Sequence, residues 1–324
     1  LRADASLAEL KANRQSIQDA ICSIRICGNV RDPNFRVLGT DPTKPVGATV
    51  RFPAGVYHIY GRLIIPDRQC FSLVGDGGVG GTTIVQHQDD EPIIEFTKED
   101  TWGWTIENLW FTWQRPQTCD DDHSIAINFN TGQSTKNGFY NGVIDRCCFE
   151  GAYRGVSITP LEYKFSVEPH LIEGLIRALG DKPYAVTKEL PELSAKFQRG
   201  TEALTLKATV TCDRLERRWR VVDSDNDRSY FVWREKDALN VYLGVSLPVW
   251  GTHIDHCRFD GCTGSAIYLV CYDCGMPGNS ISNTYIRNYT TKAGGNRENE
   301  EPQLWLAGQN GMSLTSLDME GSSK

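Results

Sequence analysis

Apolar residues recur along this chain in a short unit: one apolar position, a second three residues on, and a third two further. Ile144–Gly151 (IDRCCFEG) returns almost unchanged as Ile254–Gly261 (IDHCRFDG), and looser copies begin at Ile106, Ile281 and Leu314. The first position reads Ile106, Ile144, Ile254, Ile281, Leu314. The second reads Leu109, Cys147, Cys257, Thr284, Leu317, and the third Phe111, Phe149, Phe259, Ile286, Met319. Alternation between the second and third positions is that of a strand, and the extra step before it is a bend. A unit this short cannot bury its own apolar side, so the copies must stack on one another. The pattern predicts a mainly β chain wound as a right-handed parallel β-helix, a solenoid.

The flanking segments fit that plan. Ala5–Ile24 has helical spacing, with Leu7, Leu10, Ile17 and Ile21 inward and Glu9, Gln15 and Asp19 outward, and would cap the mouth of the solenoid. Strands are predicted at Val50–Phe52, Tyr57–Ile59, Leu63–Ile65, Phe71–Val74, Ile93–Phe96, Ile125–Phe129, Gly155–Pro160, Ala266–Val270 and Leu304–Leu306, separated by Pro- and Gly-rich turns. Ile144 and Ile254 lie 110 residues apart, whereas the next interval, to Ile281, is 27. An insert from Leu161 to about Leu247 therefore parts two adjacent coils. It holds a helical face (Leu171, Leu175, Ile176, Leu179, closed by Gly180) and strands around the Asp223–Asp227 turn, a small α+β domain. The expected division is 1–48 for the short N-terminal helix and linker, 49–160 for the first part of the solenoid, 161–247 for the insert and 248–324 for the second part.

Composition narrows the function classes. A net charge of −7 argues against nucleic acid as a main partner, and 40% hydrophobic with 23% charged residues is the balance of a folded chain. No apolar run is long enough to span a membrane, and there is no signal peptide, so no membrane insertion is expected. The chain opens at Leu1 without a methionine, which leads us to expect an upstream part, and the copy at Leu314 is followed by no capping sequence, which leads us to expect more solenoid after Lys324. Eleven cysteines, an odd number in a chain of this length, do not read as a disulfide scaffold. Cys147 and Cys257 replace Leu109 of the earlier copy and read as buried reduced thiols. A zinc site built on Cys271-x-x-Cys274 with Cys257, Cys262 and His256 is weakly supported, since a second matched pair is missing. The reading implies no metal and no cofactor. The glycines of Gly75–Gly81 lack the Lys-Ser/Thr and the helix of a phosphate loop.

Stacking turns each repeat position into a ladder. One outward ladder carries Glu107, Asp145, Asp255, Ser282 and Thr315, and another carries Thr112, Glu150, Asp260 and Glu320. With rungs about 4.8 Å apart, Asp145 and Asp255 would face each other near the separation of a retaining glycosidase, about 5–5.5 Å. Glu107 and Asp255, two rungs apart, would sit at the far edge of the inverting range, about 6.5–9.5 Å. Crowded carboxylates raise one another's pKa and would supply an acid beside a base; a plain solvated acidic row is the alternative. At the bend stand Asn108, Arg146, His256, Asn283 and Ser316. Arg146 and His256 could serve a lyase as cation and base, or pair with Asp145 and Asp255. Trp110, on one face with Arg258 and Tyr285, offers a sugar platform or a subunit contact, while Trp102, Trp104 and Trp113 read as core. Asp122 and His123, in the acidic loop Cys119–His123, would overhang the same face, bind a cation, or form bare surface.

One further layer comes from likeness. FPAGVYHIYGRLIIPD (Phe52–Asp67), SLVGDGG (Ser72–Gly78) and TTIVQ (Thr82–Gln86) resemble the opening coils of the pectate-lyase-like superfamily, in the branch of bacteriophage tailspikes and capsule depolymerases. Leu1–Ile21 is similar to the segment that joins the particle-binding head of such proteins to their β-helix. The resemblance spans about 1–160 and 249–324. It implies a homotrimer in a virion tail, extracellular at the host surface, attached to other tail proteins through an N-terminal part. Its partner would be a bacterial capsular or O-antigen polysaccharide, cleaved by a glycoside hydrolase more readily than by a lyase. Because the family includes binding-only members, a non-catalytic receptor-binding or structural tail protein is the other implied outcome.

Overall fold

A computed structural model describes residues 5–23, 48–65, 70–77, 81–96, 101–118, 120–130, 139–159, 249–270, 276–287, 303–307 and 309–320, together with the backbone of strands between 162 and 244. The chain is mainly β and built on parallel sheets. No helix among the described residues is long and apolar enough to cross a membrane.

Parallel pairing lays the repeats over one another. Ala48–Phe52, Phe71–Gly75, Thr105–Glu107, Val143–Asp145, His253–Asp255, Ser280–Arg287 and Ser313–Glu320 are successive neighbours in one column. Past the bend, Gly55–Ile59, Thr82–Gln86, Trp110–Trp113, Cys148–Glu150, Arg258–Asp260 and the second half of Ser280–Arg287 form the next. A six-stranded sheet follows: Leu63–Ile65, Ile94–Phe96, Ile125–Asn130, Arg154–Thr159, Ile267–Val270 and Leu304–Ala307. A short three-stranded sheet, Thr101–Trp102, Phe139–Tyr140 and Val249–Trp250, precedes the first column in the three passages that lead to Thr105–Glu107, Val143–Asp145 and His253–Asp255. Ile106, Ile144, Ile254, Ile281 and Leu314 are register partners, as the repeat requires, so the long interval before Ile254 costs no rung.

The bend is a single residue in the left-handed region: Asn108, Arg146, His256, Asn283 and Ser316 have φ of 56°, 50°, 48°, 46° and 52°. Each of the first three donates its backbone N–H to a carbonyl one rung on, Asp145, Asp255 and Ser282, at 3.1–3.2 Å. Asparagine tolerates this conformation through its short polar side chain and histidine is also enriched in it; arginine holds it less readily.

Inside, like residues pile on like. Phe111, Phe149 and Phe259 are fully buried, with ring centroids 5.5 and 4.5 Å apart and rings nearly parallel. Phe96 gathers Phe71, Trp104, Phe129 and Phe139 into a second aromatic cluster. Cys147 and Cys257 are buried and unbridged, as their place in the apolar ladder suggests. In the last copy the ladder comes to the surface, with Leu314 49% and Met319 52% exposed.

The helix, Leu7–Ser23, begins with a capping box in which Ser6 and Glu9 satisfy each other's orphan N–H groups. Leu10 and Ile21 are buried as expected, but Leu7 is 49% exposed, and Gln18 takes its place in the contact. The Gln18 amide donates to the Ile64 carbonyl and accepts the Ile64 N–H, both at 2.8 Å, and so completes the edge strand as a neighbouring strand would.

A second compact unit is formed by Pro160–Ser246. Its described strands make one antiparallel sheet in the order Lys188–Glu189, Ala208–Asp213, Arg218–Asp223, Arg228–Glu235, Ala238–Gly244, Glu162–Phe165, Ala195–Arg199, Glu202–Leu206. The helix expected at 171–180 lies outside the described residues.

Candidate functional site

The outward ladder beside the bend is the densest cluster of charged groups that the repeats assemble. Asp145 pairs in register with Glu107 on one side and Asp255 on the other, and Asp255 with Ser282. In a strand the alternate residue, here Ile106, Ile144 or Ile254, fills the core, so its neighbour must point outward. All three carboxylates are partly buried.

The cations between them decide the electrostatics. Arg146 Nη2 contacts a Glu107 carboxylate oxygen and lies 3.0 Å from Asp145 Oδ2, while its Nε donates to Asn108 Oδ1 at 3.1 Å. His256 Nδ1 lies 3.0 Å from Asp255 Oδ2 and 3.5 Å from Asp145 Oδ1. One carboxylate oxygen each of Asp145 and Asp255 and a ring nitrogen of His256 all fall within 4.8 Å of one another. The other oxygen of Asp255 accepts three donors: Ser282 Oγ at 2.8 Å, Asn283 Nδ2 at 3.0 Å and the His256 N–H at 3.1 Å. Asp145 Oδ1 is buried and has no hydrogen-bond partner.

Crowding alone would raise a carboxyl pKa in this ladder, and at Asp255 the opposite occurs. Burial pushes the group up. Hydrogen bonds from Ser282 and Asn283, then the His256 ring and its N–H, outweigh burial and hold it below the usual carboxylate range. Asp255 is thereby held in its ionised form. The Arg146 guanidinium is pushed up, chiefly by its hydrogen bond to Glu107 and by the field of Asp145.

The remaining candidates lie elsewhere. Glu150 is exposed between Thr112 and Asp260 in the ladder past the bend, and Asp260 lies 2.6 Å from Arg258 and 3.8 Å from Arg287. Trp110 shares a ladder with Arg258 and Tyr285, but buried Cys148 occupies the rung between Trp110 and Arg258. Its indole N–H is buried without a hydrogen-bond partner. The Arg258 guanidinium lies over the Tyr285 ring, whose hydroxyl donates to Glu320 at 2.8 Å. Asp122 and His123 meet Asp90, with His123 Nδ1 2.9 and 3.2 Å from the two carboxylates, while Arg115 ties Asp121 to Asp89 nearby. None of these contacts links the loop to Asp145 or Asp255. Of the cysteines weighed for zinc, Cys271 and Cys274 lie outside the described residues, and Cys257 and Cys262 are buried thiols.

Two features escaped the sequence reading. Ser282 and Asn283 follow the repeat as ladder and bend residues, but the period does not show their common grip on Asp255. Trp102 does not fill the core: it stacks outside on Tyr140, 4.2 Å between centroids, whereas Trp104 and Trp113 are buried as expected. The signal was available, because Trp102, Tyr140 and Trp250 each stand four residues before the first apolar position of their copy.

No family model, curated protein or solved structure matches the chain.

Proposed function

We propose that the parallel sheets form a right-handed parallel β-helix, the handedness that nearly all parallel crossovers adopt, and that this shaft is a phage tailspike. It assembles as a homotrimer at the virion tail and degrades a bacterial capsular or O-antigen polysaccharide as a glycoside hydrolase. The observation that carries the reading is the register pairing of Asp145 with Asp255, with His256 Nδ1 set between their carboxylates. Backbone strain supports it. Where neighbouring rungs use Asn108 and Asn283, the Asp145 rung holds Arg146 at positive φ, a choice folding alone does not favour.

In this mechanism Asp255, kept ionised, attacks the anomeric carbon. His256, its Nδ1 beside Asp255, delivers a proton from Nε2 to the glycosidic oxygen as the bond from that oxygen to the anomeric carbon breaks, and then takes a proton from the water that displaces Asp255 from the glycosyl ester, restoring both groups. Arg146 neutralises Glu107 and Asp145, so the ladder accepts a sugar without stacking three bare charges.

A second reading, receptor binding without catalysis, is favoured by the ion pairing itself, since each acid of the ladder already touches a cation. Incubation with a panel of bacterial capsular and O-antigen polysaccharides separates the outcomes. New reducing ends mark a hydrolase, absorbance of unsaturated sugars marks a lyase, and binding without either marks a receptor protein. Asp255→Asn should lower turnover by about a hundredfold or more. Full activity in Asp255→Asn would remove the ladder from the chemistry.

A further inference from the structure

Charge along the acid ladder limits the kind of sugar that can lie on it. Glu107, Asp145 and Asp255 stand on successive rungs, and among the described residues the permanently charged cation that touches them is Arg146. Its guanidinium is already committed. The side-on edge, whose paired N–H groups would grip a carboxylate as a fork, is spent: Nε donates to Asn108 Oδ1 at 3.1 Å, and Nη2 lies on Glu107 and 3.0 Å from Asp145 Oδ2. Asn108 closes the triangle, donating from Nδ2 to the same Glu107 oxygen at 3.1 Å. Three carboxylates thus face one guanidinium, and the ladder is negative whether the His256 ring is neutral or protonated. The ladder past the bend does not redress the balance. Glu150, Asp260, Arg287 and Glu320 are register partners there, and Arg258 and Arg287 both lie toward Asp260, at 2.6 and 3.8 Å.

Hydrogen-bonding capacity points the same way. Ionised carboxylates accept and never donate, so a group that settles on them must donate. A sugar hydroxyl, an amide N–H or an ammonium does so, and a uronate carboxylate does not. Asp145 Oδ1, which has no hydrogen-bond partner, is the acceptor with capacity to spare. We propose that the acid ladder takes neutral hexoses or hexosamines and disfavours uronic acids, so that the residue bound at Asp145 and Asp255 carries no carboxylate. The same arrangement bears on reaction class. Elimination beside a uronate needs a cation on its carboxylate to make the neighbouring C–H acidic, and the Arg146 edge suited to that task is taken. Exposure sets the size of the effect. The Arg146 and His256 side chains are 52% and 57% exposed, so water and salt screen the repulsion, and the discrimination is about tenfold and not thousandfold.

This substrate class rests on the polysaccharide reading given above, and the test keeps the two apart. Wild-type protein is screened on an array of bacterial capsular and O-antigen polysaccharides, neutral and acidic, and the strongest binder is titrated calorimetrically. The same glycan is then titrated with its charge switched: a neutral one after oxidation of its primary hydroxyls to carboxylates, an acidic one after reduction of its uronates to hexoses. The uncharged form should bind about tenfold or more tightly than the charged form at low salt, and the gap should shrink as salt is added. Glu107→Gln, which takes one acid from the ladder and one partner from Arg146, should narrow the gap as well. Equal affinity for the two forms, or tighter binding of the charged one, overturns the substrate class and leaves the polysaccharide reading standing. A gap that Glu107→Gln leaves unchanged also overturns it, because the discrimination would then arise away from the ladder. Failure of wild-type protein to bind any glycan overturns both.

Discussion

The acid ladder exists only because Ile144–Gly151 lies on Ile254–Gly261, and the phenylalanine column tests that stacking. Phe149 is fully buried, with Phe111 5.5 Å away on one side and Phe259 4.5 Å away on the other. Truncation to alanine removes a whole ring from a site the backbone cannot close, because both flanking strands are held in register. Loss of transfer free energy plus the cavity is about 3–5 kcal/mol. Each lost stacking partner is worth roughly 0.5–1.5 kcal/mol, part of which that figure already contains. We expect about 4 kcal/mol, a large share of the roughly 5–15 kcal/mol that holds a domain folded. Equilibrium urea unfolding followed by tryptophan fluorescence reads it: with a slope of about 3 kcal/mol per molar, the midpoint falls by about 1 M or more. Glu150→Ala, on the exposed side of the same strand, should stay within about 0.5 kcal/mol of wild type. Equal midpoints for Phe149→Ala and Glu150→Ala would mean that the ring is not enclosed between neighbouring rungs, and the facing of Asp145 and Asp255 would go with it.

Two further outcomes follow from the same packing. His58 Nδ1 and His87 Nε2 are 2.7 Å apart and share one proton; burial holds both imidazoles below their ordinary value, with His87 adding to the effect at His58. The unfolded chain therefore binds the extra protons first. Their contribution to stability is complete above about pH 6.5 and is lost as the pH falls through the lower folded values, so the melting temperature should drop on acidification and His87→Gln should flatten the drop. An unchanged pH profile in His87→Gln would disprove the coupling. Gly142→Ala would set a methyl carbon 2.0 Å from the buried Trp104 ring, and urea unfolding should show a loss of about 1–3 kcal/mol; a neutral result would show that the indole can move aside.

Register was readable from the chain because it is written as a period. A residue that must face the core in every rung leaves the same apolar mark in every copy, as Ile106, Ile144, Ile254 and Ile281 do, and the copies align wherever the marks coincide. The outward acids follow at once, since strand alternation fixes which side each takes. The bend was legible as a position but not as a conformation: only the coordinates reveal left-handed φ at Arg146 and His256. Side-chain chemistry across rungs was the hardest part. Asp255 is held ionised by Ser282 and Asn283, which stand 27 and 28 residues away, and by a ring whose rotamer no period encodes.

The column of Trp102, Tyr140 and Trp250 marks the same divide. Its strands are two residues long, too short for alternation to announce them, and the sequence reading assigns Trp102 to the core. By itself the sequence determined which residues stack, because burying an apolar side leaves a repeat that composition cannot hide. The tertiary structure alone decided which charges meet and which rings face outward, because those depend on angles and distances between rungs that one-dimensional spacing does not carry.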